Sequence, residues 1–293
     1  VWRVSEDGEL RDPFKKLTTV FQMSEEIFFL HYGKDGCNRH VLIDECRELF
    51  GEIYEQIPEL PFCNIWTAMQ LSSRLPKGAL FHMGVSNTRR CWNMFQLPES
   101  VESACNVGCC GIDGCVSTLV GASLVNPDRL CYVVVGDLTF FYDLNSLGNH
   151  HIGTNLRVML VNNGRGTEFR LGIHHCNVFG DDADKYMAAA GHFGNKSPLL
   201  VKHYAEDLGF HYLSATTKEE FMTALSNFTN PQLSDHSMIL EVFTDSKDES
   251  EALYLMSHIQ SDAKGMVRSK LKDAVRNVAG EKGINAIKKI LKK

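Results

Sequence analysis

GDLTFFYDLNSLGNHHIGTNLRVMLVNNGRGTEF, residues Gly136 to Phe169, joins two apolar runs through a spacer of helical length. The run CYVVVG ends immediately before Asp137, and RVMLV ends immediately before the pair Asn162–Asn163. Runs that are apolar throughout mark strands buried on both faces, which is the habit of parallel sheets. Asp137 and Asn163 are 26 positions apart, a span that fits a strand end, a helix and a returning strand. A right-handed crossover brings both residues to the same edge of the sheet. Neighbouring strand ends then offer a carboxylate, an amide oxygen and a turn carbonyl. Magnesium takes such hard oxygen ligands, together with phosphate oxygens and water. A helix opening at Thr139–Phe140 would turn free backbone N–H groups towards the same phosphates. The plainer alternative is that Asp137 caps a helix and the asparagines form a turn.

Outward from this stretch the same alternation continues. GALFHMG and SMILEVF read as further buried strands. NIWTAMQLSSRLP and residues 113–125, 140–149, 185–190, 198–208 and 218–228 read as helices. The expected fold is α/β: a doubly wound, mostly parallel sheet with helices on both faces and ligands at the carboxyl ends of its strands. Polar and glycine residues collect at those ends, in 84–90, 136–138 and 162–166. Residues 1–32 hold a strand-like LTTVFQM and a helix start at Ser24, and read as the remnant of a preceding domain. Residues 33–58 read as a connecting helix, 59–262 as the main domain, and 263–293 as a basic helical extension.

With 44% hydrophobic and 23% charged residues, the 293-residue chain has the composition of a globular protein. It contains no apolar run long enough for a membrane span. Its ten cysteines lack the spacing of a zinc site and are scattered through apolar contexts, so they read as reduced thiols of a cytoplasmic protein. The net charge of −6 conceals a basic tail: residues 264–293 carry ten Lys and Arg against Asp273 and Glu281. No aromatic residue interleaves them, which favours a solvated helix face over a nucleic-acid platform. Neither GxGxxG nor GxxxxGK[ST] occurs, which argues against dinucleotide and P-loop binding.

Gly-Asp-x at 136–138, followed after the spacer by Asn162–Asn163, resembles the signature of thiamine-diphosphate enzymes. Three further segments resemble one branch of that superfamily, the SEPHCHC synthases of menaquinone biosynthesis: GDLTFFYDLNSL itself, NVGCCGIDGCVSTLVGAS from Asn106, and GVSNTRRCWNMF from Gly84. The resemblance runs from about residue 60 to 245. It implies thiamine diphosphate and magnesium as cofactors, with the metal held by the side chains of Asp137 and Asn163 and the carbonyl of Arg165. It places Gly108, Gly111, Gly136, Leu138, Thr139, Gly166 and Phe169 against the cofactor, and Ile112 beneath the thiazolium ring. Ser86 and Arg90 would face the substrate, Arg90 capturing a carboxylate through two hydrogen bonds. Without the resemblance, Ile112 and Phe169 read as core residues, and Arg90 as half of a surface ion pair.

Two positions depart from the family pattern. Leu138 stands where glycine is usual, and Val107 stands where the family has an arginine for its acidic substrates. The second departure implies a different substrate. His174, His175 and His192 flank Asp181 and Asp182 after the metal loop; histidines near such a site can assist proton transfer, but for the pair His174–His175 a surface loop is the simpler reading.

The family draws its cofactor-activating glutamate from a separate pyrimidine-binding domain, and residues 1–57 are too short to be one. The expectation is a C-terminal fragment or a separate subunit of a 2-oxo acid decarboxylase or carboligase. It would be homo-oligomeric and would partner the pyrimidine-binding half. The alternatives are a non-catalytic thiamine-diphosphate and magnesium module, or an interaction protein using the basic tail.

Overall fold

The computed structural model describes residues 1–33, 41–108, 110–171, 174–187 and 191–259. Contacts divide the chain into two units, Val1–Glu55 and a second beginning at Gln56. In the first, β1 (Trp2–Val4) pairs in parallel with β2 (Thr19–Phe21). Helix α1 (Glu25–Tyr32) begins at Ser24, whose hydroxyl accepts the Ile27 N–H at 3.3 Å, as the sequence suggested. Phe28 is buried against Trp2, Phe21 and Tyr32. Helix α2 (Val41–Glu55) takes up most of the helix expected over 38–57; residues 38–40 lie outside the described residues.

The second unit runs through α3 (Asn64–Leu71), β3 (Leu80–Met83), α4 (Asn87–Trp92), β4 (Glu102–Cys105), α5 (Cys115–Val125) and β5 (Cys131–Gly136). It continues with α6 (Asp137–Tyr142), β6 (Leu156–Asn162), α7 (Ala183–Tyr186), α8 (Leu200–Asp207), β7 (His211–Ala215) and α9 (Lys218–Phe228). Strand β8 (Met238–Phe243) and helix α10 (Ser246–Ser257) complete it. The strands form one all-parallel sheet in the order β4-β3-β5-β6-β8-β7. This is the expected doubly wound architecture, and the apolar runs β5, β6 and β8 lie inside it because both their faces are buried.

On one face Val133, Val135, Val158 and Leu160 pack against Val116 and Leu119 of α5 and Phe140 of α6. By the area rule, each such aliphatic side chain contributes about 1.5–3 kcal/mol. Two edge strands, β4 and β7, were not read from the sequence. Both alternate or stay exposed, so they lack a continuous apolar run. Helix α6 also opens at Asp137, two residues earlier than expected, and is followed by a 3₁₀ segment Leu144–Gly148. The short helix read over 185–190 is instead α7, and residues 188–190 lie outside the described residues. The extension over 263–293 lies outside them too. No described helix is long and apolar enough to cross a membrane. The described cysteines are free thiols.

Trp92 ties α4 to α3. It is 1% exposed, its ring lies 5.3 Å from that of Phe81, and its indole N–H donates to Asn64 Oδ1 at 2.8 Å. Trp92→Phe leaves that buried amide oxygen without a donor and opens a gap. The expected loss is about 1–3 kcal/mol, read as a lowered urea midpoint with an unchanged slope.

Candidate functional site

The chain leaves β3 for β4 on one side and returns to β5 on the other. The strand order therefore reverses between β3 and β5, and the loops there part into a crevice. At the end of β3 the backbone turns through Ser86, held at φ +57°, ψ −120°. A non-glycine residue at positive φ costs on the order of 1–3 kcal/mol, so packing around the turn must hold it there.

Asp137 stands at the end of β5 and is 3% exposed. Its Oδ1 accepts the Leu138 N–H at 2.8 Å. Its Oδ2 accepts the successive N–H groups of Asn163, Gly164 and Arg165 at 3.2, 2.7 and 3.1 Å. Gly164, at φ +77°, allows the loop after β6 to curl so that three donors converge on one oxygen. The asparagine pair divides its work. Asn162 turns into the sheet and donates to Glu241 Oε1 at 2.7 Å, whereas Asn163 remains on the loop, its Oδ1 3.4 Å from the Arg165 nitrogen. Burial raises the Glu241 carboxyl above the usual range, against the hydrogen bonds from Asn162 and Tyr212.

These loops enclose a cleft of about 140 Å³. Ser86 reaches it from the β3 turn and Ile112 from the loop before α5. Gly136, Asp137, Leu138 and Thr139 form its floor at the start of α6; Asn163, Arg165, Gly166 and Phe169 come from the loop after β6. Three sequence-derived candidates do not line it. Gly108 has open space where a Cβ would stand. A Cβ on Gly111 would meet Asp113 Oδ1 at 2.6 Å, so in this structure its missing side chain makes room for Asp113. Arg90 stands behind the wall in a two-pronged ion pair with Glu168, at 2.7 and 3.1 Å, and Glu168 does line the cleft. Helix α5 opens at Gly114 without a side-chain cap of its own. Asp143 Oδ2 instead accepts the Ser117 N–H at 2.7 Å.

His174 and His175 lie away from the cleft, as the surface-loop reading favoured. His175 is exposed, and His174 caps its own turn by accepting the Cys176 N–H. Neither lines the cleft. His192, which the sequence reading named without assigning it a place, lies with its Nε2 3.0 Å from Asp137 Oδ2. Its Nδ1 accepts the Gly194 N–H at 2.8 Å, which assigns the ring proton to Nε2. Despite its closeness to Asp137, Nε2 is buried and makes no hydrogen bond among the described residues. No local spacing could have revealed the contact, because 55 residues separate the two.

Two other groups escaped the sequence reading. Thr167 Oγ1, on the cleft wall, is buried without a partner among the described residues. Glu249 is wholly buried beside Asn64, which also lines the cleft. Among the described residues no three His, Cys, Asp or Glu side chains assemble into a metal cluster. A cation at this cleft would depend on a mixed set of carboxylate, amide and carbonyl oxygens.

No family model matches the chain. It is 33% identical over 258 residues to the 2-succinyl-5-enolpyruvyl-6-hydroxy-3-cyclohexene-1-carboxylate (SEPHCHC) synthase of Bacteroides fragilis, covering 86% of this chain and 44% of that protein. The synthase of Phocaeicola vulgatus is 32% identical over 260 residues, with 86% and 43% covered. That of Christiangramia forsetii is 33% identical over 199 residues, with 68% and 33% covered. The chain thus spans less than half the length of these curated relatives. The aligned region takes in the strand ends that carry Asp137 and Asn163, and the chain is a relative of the SEPHCHC synthases, the branch of the thiamine-diphosphate superfamily that its motifs resemble.

Proposed function

We propose that this chain is the diphosphate- and magnesium-binding half of a thiamine-diphosphate-dependent 2-oxo acid decarboxylase or carboligase. The observation that carries the reading is the meeting of Asp137 with the Asn163–Arg165 loop at the point where the strand order reverses. The residues present fit the group. A buried carboxylate, the Asn163 amide oxygen and the Arg165 carbonyl make an oxygen donor set suited to magnesium. Thr167, whose buried hydroxyl has no partner among the described residues, is one of the residues lining the same cleft.

When bound, thiamine diphosphate supplies the carbon centre and electron sink through which a 2-oxo acid loses carbon dioxide. The chain's own residues bind and orient. Asp137 and Asn163 would hold the metal, Ile112 would buttress the ring, and Ser86 would face the substrate from the β3 turn. A cleft of about 140 Å³ falls short of the about 300 Å³ at which pockets for whole small molecules begin. It suits one end of the cofactor, leaving the aminopyrimidine and its activating glutamate to a pyrimidine-binding partner. An assembly of two copies with that partner would complete the site.

Manganese, as a magnesium substitute with a paramagnetic signal, tests this directly. Thiamine diphosphate should bind the chain only with the metal present, and turnover should require the pyrimidine-binding partner. Ordinary decarboxylation rates from the chain alone would overturn the half-enzyme reading. One observation favours a second reading, a cofactor-binding module without catalysis: Arg90, the arginine expected to face the substrate, is already paired with Glu168. Absence of turnover with the partner, despite tight cofactor binding, would select it.

A further inference from the structure

Asp137 is approached by more than the backbone donors around it. Residues 192–195 lie across it as a strap. His192 Nε2 stands 3.0 Å from Asp137 Oδ2, and its ring lies 5.6 Å from that of Phe141 on α6. A Cβ on Gly194 would run into the Phe141 ring, and one on Gly164 into the Asn195 amide. The strap therefore presses on α6 at one glycine and on the loop after β6 at the other. Packing, not hydrogen bonding, seats the imidazole. Its Nε2 is buried with no hydrogen bond among the described residues, a state that costs stability. His192 also lines a groove of about 470 Å³ with Leu138, Phe141 and Phe193, while Leu138 and Asp137 line the cleft. The imidazole thus stands between groove and cleft.

The tautomer fixes what His192 can do to a cation. Its Nδ1 accepts the Gly194 N–H at 2.8 Å, so Nε2 carries the ring proton and has no lone pair for a metal. Asp137 Oδ1 already accepts one N–H and Oδ2 three, so the Nε2 hydrogen crowds a carboxylate with little room left. We infer that His192 is a placeholder: it occupies an approach to Asp137 that a divalent cation needs, and the strap 192–195 lifts before that cation binds. The inference rests on the cation site of the proposed function. Magnesium takes its oxygens at about 2.0–2.1 Å in a near-ideal octahedron. A ring N–H held 3.0 Å from one of those oxygens sets a positively polarised hydrogen beside that shell. Two states follow, strap down and strap lifted, and a cation that binds only the second draws the population towards it. A strap lifted in about 1–10% of molecules lowers the apparent affinity about 10–100-fold, the reciprocal of that share.

The test is manganese binding to the full chain, followed by paramagnetic resonance, in wild type and two variants that clear the strap by different means. His192→Ala deletes the imidazole. Gly194→Ala sets a Cβ against Phe141 and levers the strap away. Each should bind manganese about tenfold or more tightly than wild type, the gain expected when a closed state is removed. Chymotrypsin gives a second readout, because Phe193 is 80% exposed and needs only a freed backbone to be cut. Saturating manganese should speed cleavage after Phe193 in wild type and leave it unchanged in Gly194→Ala, where the strap is already lifted. Urea midpoints confirm that each variant is folded. Unchanged or weaker manganese binding in either variant, or slower cleavage of wild type with manganese, overturns the inference. Weaker binding in His192→Ala would further make the imidazole a ligand. If wild type binds manganese and the variants gain nothing, the cation site stands and only the strap is lost. If neither wild type nor the variants bind it, the proposed cation site fails and the strap with it.

Discussion

Replacing Asp137 by alanine is expected to lower the metal-dependent affinity for thiamine diphosphate by more than about a hundredfold. Losing only an outer partner of a metal ligand costs about 10–100-fold, and on the proposed reading the charged ligand itself is removed. Asp137 is the one carboxylate at the tips of β5 and β6, and four backbone N–H groups converge on it. In Asp137→Ala those donors lose their acceptor, so the loop through Gly164 no longer has a reason to curl over β5. A cation bound as proposed would lose its charge partner, and the Asn163 and Arg165 oxygens would lose their placement.

Asp137→Asn separates the two roles. Its amide oxygen can still accept from the loop but carries no charge, so the fold of the loop should survive while manganese binding falls. Asn163→Ala removes one neutral ligand and should cost less than either. Paramagnetic resonance of manganese and calorimetry of the cofactor give the order, and far-ultraviolet circular dichroism confirms the fold. Wild-type affinity in Asp137→Ala would remove the carboxylate from the site altogether.

What was legible in the sequence follows from how local each feature is. Strands β5, β6 and β8 announce themselves because both faces are buried, which leaves no room for polar alternation. Strands β4 and β7 sit at the sheet edges, so ESAC and HYLSA read as loops. Asp137 and the asparagine pair could be matched because a fixed spacer separates them, and the helix start was misplaced only because Asp137 is itself its first residue. The partners that tune the cleft were out of reach. Arg90 and Glu168 lie 78 positions apart, and Glu249 lies 185 from Asn64. No period or spacing links residues that meet only after the sheet has assembled. The ion pair on Arg90 was weighed as a surface contact; its partner on the cleft wall was the part that sequence could not supply.

Glu249 gives the second large effect, a stability that falls as pH rises. The side chain is fully buried, with Oε1 accepting from Thr244 Oγ1 at 2.7 Å and from the Asn64 N–H at 3.0 Å, while Oε2 has no partner among the described residues. Burial pushes its carboxyl from the ordinary 4.5 up to about 7; the two hydrogen bonds oppose this, and the negative charge of Asp137 adds to it. Between those values the native state holds a proton that the unfolded chain has released. Stability therefore declines from about pH 4.5 and levels off above about pH 7, by on the order of 3 kcal/mol in total. Glu249→Gln resembles the protonated form in shape and keeps the acceptor oxygen, but it cannot ionise. It should match wild type near pH 4 and exceed it by about that amount at pH 8. Urea unfolding of both proteins across this range isolates the group, because Glu241, also raised by burial, titrates alike in each. Parallel profiles would mean that Glu249 is not protonated in the native state, and that its second oxygen finds a donor by other means. A diverging pair would identify a neutral carboxyl bridging α10 to the first turn of α3, where Asn64 meets the cleft.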